Sequence, residues 1–120
     1  MAAELQEPLA GVRYPAEQVP TIGRVVHYRL SEADAEAINQ TRSRAKALAR
    51  VGALLPGLQA HDGNPVRAGD PFPMIIVAVW GSGRDAPVNG QVLLDGPDQF
   101  WACTRSLGDG PGTWSWPPRG

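Results

Sequence analysis

The chain has 120 residues, enough for one domain with one modest core, and 42% of them are hydrophobic, so the chain is expected to fold. With 11 basic and 12 acidic side chains, the formal net charge of −1 provides no global attraction to nucleic acid or to an anionic membrane. Its longest apolar stretch, Met74 to Trp80, is far shorter than the ~20 residues of a membrane-spanning helix.

Cys103 is the single cysteine, and one cysteine makes neither an internal disulfide nor a zinc site. The N-terminus also shows no signal-peptide pattern. Both features predict a protein of the reducing cytoplasm. Because Cys103 lies within an apolar stretch, its thiol is expected to be buried as a small hydrophobe.

The N-terminal residues 1–22 mix Ala, Glu, Gln and Pro without apolar periodicity, which predicts a flexible or strand-like arm. Residues 23–120 then form a single α+β domain. Its first element is a short strand over residues 24–30, which are β-branched with partial alternation.

A helix is predicted over residues 31–51. Ser31 followed by Asp34 has the shape of a capping box, and acids in the first turns with bases in the last turns complement the helix dipole. Residues at helical spacing supply a thin apolar stripe: Ala35, Ile38, Ala45 and Leu48.

Three further strands are predicted after a Gly- and Pro-rich loop over residues 52–73. Residues 74–80 are nearly all apolar, which is typical of a strand buried on both faces. Residues 88–95 alternate, and residues 100–105 return as a hairpin partner. The expected fold class is α+β, with an N-terminal helix packed on an antiparallel β-sheet of about four to five strands.

Catalytic motifs are weak. His27 and His61 have no Ser, Cys or Asp partner at a recognisable spacing, and no metal cluster is visible. Asp95 and Asp98 flank a Gly-Pro turn, where Asp is expected for the turn alone. We therefore expect no enzyme, no cofactor and no metal, and keep a nucleotide-cleaving enzyme using Asp95, Asp98 or His27 as an open alternative.

Binding features are more numerous, although each has a plain structural explanation as a solvated surface or a core aromatic. Arg42 and Lys46 lie one helical turn apart on the predicted helix, and Arg105 shares a strand face with Trp101. Asn89, Gln91 and Asp95 form a polar row along one face of a predicted strand. An indole can stack on a base, guanidinium groups bind phosphate, and amides read base edges. The residues concerned are Arg42, Lys46, Arg105, Trp101, Trp80, Asn89, Gln91 and Asp95.

A resemblance runs over residues 24–117. It rests on the stretches 26–42, 63–70, 72–75, 88–96, 100–101 and 110–114, for example Val-Asn-Gly-Gln-Val-Leu-Leu-Asp-Gly at 88–96. These are similar to segments of small phage and prophage proteins, and the pattern resembles the Thoeris anti-defense 1 proteins. Such proteins sequester, without cleaving them, the cyclic ADP-ribose isomers made by TIR-domain enzymes, and some hold cyclic trinucleotides as hexamers.

The resemblance implies an anti-defense protein that acts as a nucleotide sponge, with an antiparallel sheet and pockets built by dimers. It implies phosphate clamps at Arg42 and Arg105, adenine stacking near Trp80, and Asn89 and Asp95 close to the ligand. The expected partner is thus a small cyclic nucleotide held by a homodimer or higher homo-oligomer, without duplex nucleic acid or membrane. The remaining alternative is a structural or regulatory phage protein without a ligand, anchored by its Trp114–Pro118 tail.

Overall fold

The computed structural model describes residues 18–51 and 63–118. It contains one helix and five strands in the chain order β1 (Val25–Arg29), α1 (Glu32–Val51), β2 (Pro71–Val79), β3 (Val88–Leu93), β4 (Gln99–Arg105) and β5 (Trp114–Ser115). The strands form a single sheet in the order β4-β3-β2-β1-β5, and every neighbouring pair is antiparallel. The predicted α+β class, with an N-terminal helix and an antiparallel sheet, is confirmed. Residues 1–17 of the predicted arm and His61 lie outside the described residues.

Helix α1 begins where the capping box predicts. The Ser31 hydroxyl accepts a hydrogen bond from the Asp34 backbone N–H at 3.0 Å, and the Asp34 carboxylate accepts one from the Ser31 N–H at 3.0 Å. These reciprocal bonds satisfy donors that the helix ladder leaves unpaired, with Asp in the position that Glu usually fills. Glu32 and Asp34 in the first turn add a favourable interaction with the helix dipole.

The buried side of α1 is shorter than its apolar stripe. Its buried residues are Asp34, Ala35, Ile38 and Arg42, all within the first three turns. The prediction that Ala45 and Leu48 continue the packed stripe is wrong, since both are exposed and Leu48 is 70% exposed. Helical spacing fixes which side of a helix is apolar but not how much of its length meets a sheet.

Strand β2 begins at Pro71, three residues before the predicted start. Proline lacks the N–H that a central strand needs on both sides. Here Pro71 and Pro73 pair with β1, whereas the pairing of β2 with β3 begins at Met74. The first residues of β2 therefore have a partner on one side, where proline is tolerated.

The sheet has a covered face and an open face. On the covered face, strand side chains pack with Ala35 and Ile38 of α1 into one core: Val26, Tyr28, Met74, Ile76, Val88, Val92, Ala102 and Trp114. The open face is defined by the row of directly paired residues Val25, Ile75, Gln91 and Trp101, one from each of four strands. The prediction that residues 74–80 are buried on both faces is wrong, because Val77 and Trp80 are exposed.

Bulges interrupt the register twice, in β2 between Ile76 and Ala78 and in β4 opposite Val88 to Gly90. A bulge changes the direction of the side chains beside it.

Within residues 18–51 and 63–118, no helix has the length and apolarity needed to cross a bilayer.

Candidate functional site

Four of the eight binding residues singled out from the sequence lie on the open face or at its margin. Asn89 and Gln91 alternate along β3 with the core residues Val88 and Val92, so they point away from the helix. Gln91 is directly opposite Trp101 of β4. Trp80, at the end of β2, bonds to Asn89.

Asn89 holds the Trp80 indole in place. Its side-chain oxygen accepts one hydrogen bond from the Trp80 indole N–H at 3.1 Å and another from the Thr104 backbone N–H at 2.7 Å. Thr104 has a φ of 55°, in the left-handed region that a β-branched residue rarely adopts. Because Asn89 is buried, its amide acts as an internal brace between β2 and the bulge of β4.

The two indoles remain accessible. Trp80 is 56% exposed and Trp101 is 55% exposed, although large aromatic side chains are highly buried on average. Beside them, Cys103 is exposed, so the prediction of a buried thiol is wrong. The β4 bulge and the missing cover on this face place Cys103 at the surface.

Arg42 lies elsewhere, at the turn between β3 and β4. Its guanidinium forms a two-pronged ion pair with Asp98, with Nε–Oδ2 at 2.8 Å and Nη2–Oδ1 at 3.0 Å. Its Nη1 also donates to the backbone carbonyl of Asn64. Hydrogen bonding to Arg42 holds the pKa of the Asp98 carboxyl below its usual value. The sequence predicted a phosphate clamp at Arg42, and in this chain the guanidinium binds a carboxylate.

Asp95 belongs to the same region. It is exposed and accepts a hydrogen bond from the Asn64 side-chain amide at 3.0 Å. The chain packs tightly there, since a Cβ on Gly63 would lie 1.9 Å from the Asp95 carbonyl oxygen. An adjacent surface pocket of about 260 Å³ is lined by Asn39, Arg42, Ser43, Lys46, Gly63 and Pro65.

Arg105 occupies a third location, at the N-terminal turn of α1. Its Nη2 donates to Asp34 at 2.9 Å, and its guanidinium carbon lies 5.7 Å from the centre of the Tyr28 ring. The Tyr28 hydroxyl donates to the same carboxylate. Burial, and then the hydrogen bond to Asp34, raise the pKa of Tyr28 well above its ordinary value.

The structure thus divides the predicted site. Trp80, Asn89, Gln91 and Trp101 come together at the open face, whereas Arg42, Arg105 and Asp95 are held on the helix side of the sheet and at its turns. Each arginine is engaged with a carboxylate of its own chain.

No family model, curated protein or solved structure matches this chain. The case for a function therefore rests on these side chains.

Of the alternative catalytic residues, Asp95 and Asp98 lie in the turn between β3 and β4, and His27 lies on β1. Asp98 is paired with Arg42 and Asp95 with Asn64. Among residues 18–51 and 63–118, no group of three or more His, Cys, Asp or Glu could hold a metal.

In the Trp114–Pro118 tail, Trp114 is fully buried. The Trp116 ring packs edge-on against it, with ring centres 5.5 Å apart, and the Arg24 guanidinium carbon lies 4.6 Å from the centre of the Trp116 ring.

Sequence reasoning missed Asp34 and Tyr28 as partners of Arg105, and Asn64 as a partner of Arg42. One signal was present for the first set. Alternation from Val26 puts Tyr28 on the buried face of β1, where a hydroxyl needs a polar partner, and the helix cap supplies a carboxylate nearby. No local pattern links Arg42 with Asn64, because the two residues are 22 positions apart and only the tertiary structure brings them into contact.

Proposed function

We propose that this protein is an anti-defense sponge of the host cytoplasm that binds a cyclic ADP-ribose-type nucleotide on the open face and sequesters it without cleaving it. The observation that carries the proposal is the pair of half-exposed indoles, Trp80 and Trp101, on the face that α1 leaves uncovered. The resemblance to the Thoeris anti-defense 1 proteins supplies the ligand class, including the cyclic trinucleotides that some of them hold.

The indoles would act as the stacking surface. Stacking of a base on an aromatic side chain is worth about 1–3 kcal/mol by alanine substitution. Because Asn89 already fixes the Trp80 ring through its N–H, little side-chain freedom is lost when a base stacks on it. A ring held in place before binding favours affinity.

Gln91 would read the edge of the base. It lies directly opposite Trp101, and its amide offers both a donor and an acceptor. The two arginines are not assigned to the phosphates of the ligand. Arg42 and Arg105 each bind a carboxylate of the same chain, so the proposed contacts on the open face are contacts to the base.

Calorimetry with glyco-cyclic ADP-ribose isomers tests the proposal. We expect saturable heat with at least one isomer, and a loss of about 5- to 150-fold in affinity for Trp101→Ala or Trp80→Ala, which is the stacking energy converted at 1.4 kcal/mol per tenfold. Leu48→Ala is the matched control, since Leu48 is exposed on α1 and lies away from the sheet face.

The bound nucleotide should then be recovered intact. After heat release, chromatography is expected to show the starting isomer alone. A new product would instead support the enzyme alternative, and an absence of heat with all isomers would remove the sponge proposal.

A protein-binding role without a nucleotide is the second candidate. It is favoured by three apolar residues that are exposed on the open face in addition to the indoles, Val25, Val77 and Leu93. The variant Val25→Glu separates the two roles. Val25 is three strands away from Trp101, about 14 Å at 4.8 Å per strand, so the variant should spare nucleotide binding and weaken protein binding.

A further inference from the structure

Two basic side chains follow one another along the outer side of β1. The core residues of this strand are Val26 and Tyr28. His27 and Arg29 alternate with them and therefore point to the other face, where both are half-buried. Their Cα atoms are about 7 Å apart, because alternate residues of a strand are separated by two rises of 3.4 Å. The strand thus places a guanidinium beside an imidazole.

The charge of Arg29 has no carboxylate partner. In the part of the chain that the structure describes, the arginines that form ion pairs are Arg42 and Arg105, and neither His27 nor Arg29 takes part in one. A guanidinium is always charged in a protein, and withdrawing a charge from water is costly unless an opposite charge is supplied. Arg29 is therefore a partly desolvated cation that an anion from solution would stabilise.

The strands on either side of β1 supply donors but no charge. On β2, Pro71 is paired with Arg29 and Pro73 is paired with His27. On β5, Ser115 is paired with His27, and its hydroxyl oxygen accepts a long hydrogen bond of 3.5 Å from Nη1 of Arg29. The serine hydroxyl keeps its own hydrogen to donate. A guanidinium, an imidazole and a hydroxyl group thus meet beside Ser115.

This set of donors fits a phosphoryl group better than a carboxylate. A carboxylate has two oxygens, and the fork of one arginine binds both, as Arg42 does with Asp98. At Arg29 the fork is accompanied by a hydroxyl and an imidazole, which can donate to further oxygens. A phosphoryl group offers three acceptor oxygens and close to two negative charges at neutral pH.

We propose that Arg29, His27 and Ser115 form a binding site for a phosphoryl group on the outer side of β1 and β5. The guanidinium binds two of its oxygens, and the hydroxyl and the imidazole bind the third. The site lies three strands away from Trp101 of β4 and shares no residue with the contacts assigned to the nucleotide base. It therefore goes beyond the proposed function and does not depend on it.

Titration of the full chain with inorganic phosphate, followed by nuclear magnetic resonance, tests the site. Phosphate replaces chloride at constant ionic strength, so that general screening does not change. We expect saturable shifts of the His27 ring protons and of the Ser115 amide. Arg29→Gln should lower the affinity about 10- to 150-fold, because charge-assisted hydrogen bonds are lost. Arg84→Gln is the matched control, since Arg84 is exposed in the loop between β2 and β3, and it should bind phosphate like the parent.

Two further variants test the site without touching its charge. His27→Phe keeps a ring and Ser115→Ala keeps the small size, and each removes one neutral donor. Each should lower the affinity about 2- to 10-fold. They decide the question if Arg29→Gln does not fold, which its melting temperature will show.

Methyl phosphate and acetate define the ligand. Binding of methyl phosphate together with inorganic phosphate would show that the site accepts a phosphoryl group carried by a larger molecule. Binding of inorganic phosphate alone would assign the site to the free ion. Acetate is expected to bind more weakly than either, because it lacks a third oxygen.

Other results overturn the proposal. These are shifts that do not saturate, equal affinities for acetate and phosphate, parent-like binding by all three site variants, or an equal loss in Arg84→Gln. Trp101→Ala should bind phosphate like the parent. A nucleotide titration without heat would therefore remove the sponge proposal and leave the phosphate result unchanged.

Discussion

Arg42 and Asp98, 56 residues apart in sequence, form a two-pronged ion pair with both nitrogen–oxygen distances at or below 3.0 Å. The Arg42 side chain is 9% exposed and that of Asp98 is 29% exposed. Eight residues earlier on the same side of α1, Asp34 binds Arg105. The two pairs have opposite polarity, since the helix supplies the acid at one and the base at the other. Reversing the helix direction against β4 would set like charges together.

Removing the acid of the first pair should destabilise the fold. Asp98→Ala leaves a nearly buried guanidinium without its carboxylate, and we expect a loss of about 2–3 kcal/mol in the free energy of unfolding, measured by urea titration. Arg42→Lys keeps the charge but loses the fork, so a smaller loss is expected. If Asp98→Ala unfolds at the same urea concentration as the parent, the pair contributes nothing to stability.

The same pair should make stability depend on acid pH. The folded pKa of Asp98 lies below the unfolded value of about 3.9, so its contribution is fully present above that value and is lost as the pH falls through the folded pKa. Melting temperatures of the parent and Asp98→Asn, measured between about pH 6 and pH 2, should therefore converge in acid. A difference that stays constant with pH would mean that the carboxylate charge is not the source.

Tyr28 should produce the opposite dependence. Its folded pKa is raised above the unfolded value of about 10, so its contribution is present below pH 10 and is lost as the pH rises toward the folded pKa. Tyr28→Phe keeps the ring in the core and removes the hydrogen bond to Asp34, which should cost about 1.5–3 kcal/mol at neutral pH. Urea titrations at pH 7 and above pH 10 compare the two proteins. A Phe variant as stable as the parent at pH 7 would contradict the expectation.

Asn89 should control the order of Trp80. In Asn89→Ala the indole N–H and the Thr104 N–H lose their shared acceptor, and we expect about 1–3 kcal/mol of destabilisation and faster hydrogen exchange of the Trp80 indole proton. The exchange is measured by nuclear magnetic resonance, with Trp80→Phe identifying the resonance. Asn89→Asp retains an acceptor oxygen and is the control that should keep the proton protected. Unchanged exchange in Asn89→Ala would remove the bracing role.

Gly90 should tolerate no side chain. A Cβ there would lie 2.3 Å from Cγ of the fully buried Met74, so Gly90→Ala is expected to cost about 1–3 kcal/mol through overpacking. Adding Met74→Ala makes room, and the double variant should lose less than the sum of the two single losses in urea titrations. Strict additivity would show that the contact does not limit the packing.

The elements of this protein could be predicted from local patterns. The Ser31–Asp34 cap fixed the start of α1, and alternation over residues 88–95 identified β3 and its polar face, because both signals are carried by residues close together in the chain. The position of Trp80, Asn89, Gln91 and Trp101 near one another also follows largely from strand pairing.

The partners of the arginines were decided only by the tertiary structure. The sequence shows Arg42 and Arg105 as cations, and either a phosphate or a carboxylate satisfies a guanidinium. Whether each guanidinium binds a carboxylate depends on the tertiary structure. The turn between β3 and β4 brings Asp98 to Arg42, and the packing of α1 on the sheet brings Asp34 to Arg105. The exposure of Cys103 and Leu48 was also decided by the tertiary structure. Cys103 is exposed because α1 covers only the other face of the sheet, and Leu48 is exposed because only the first turns of α1 pack on the sheet. The local sequence therefore determines which segments form helices and strands, whereas long-range packing determines which partners their side chains contact.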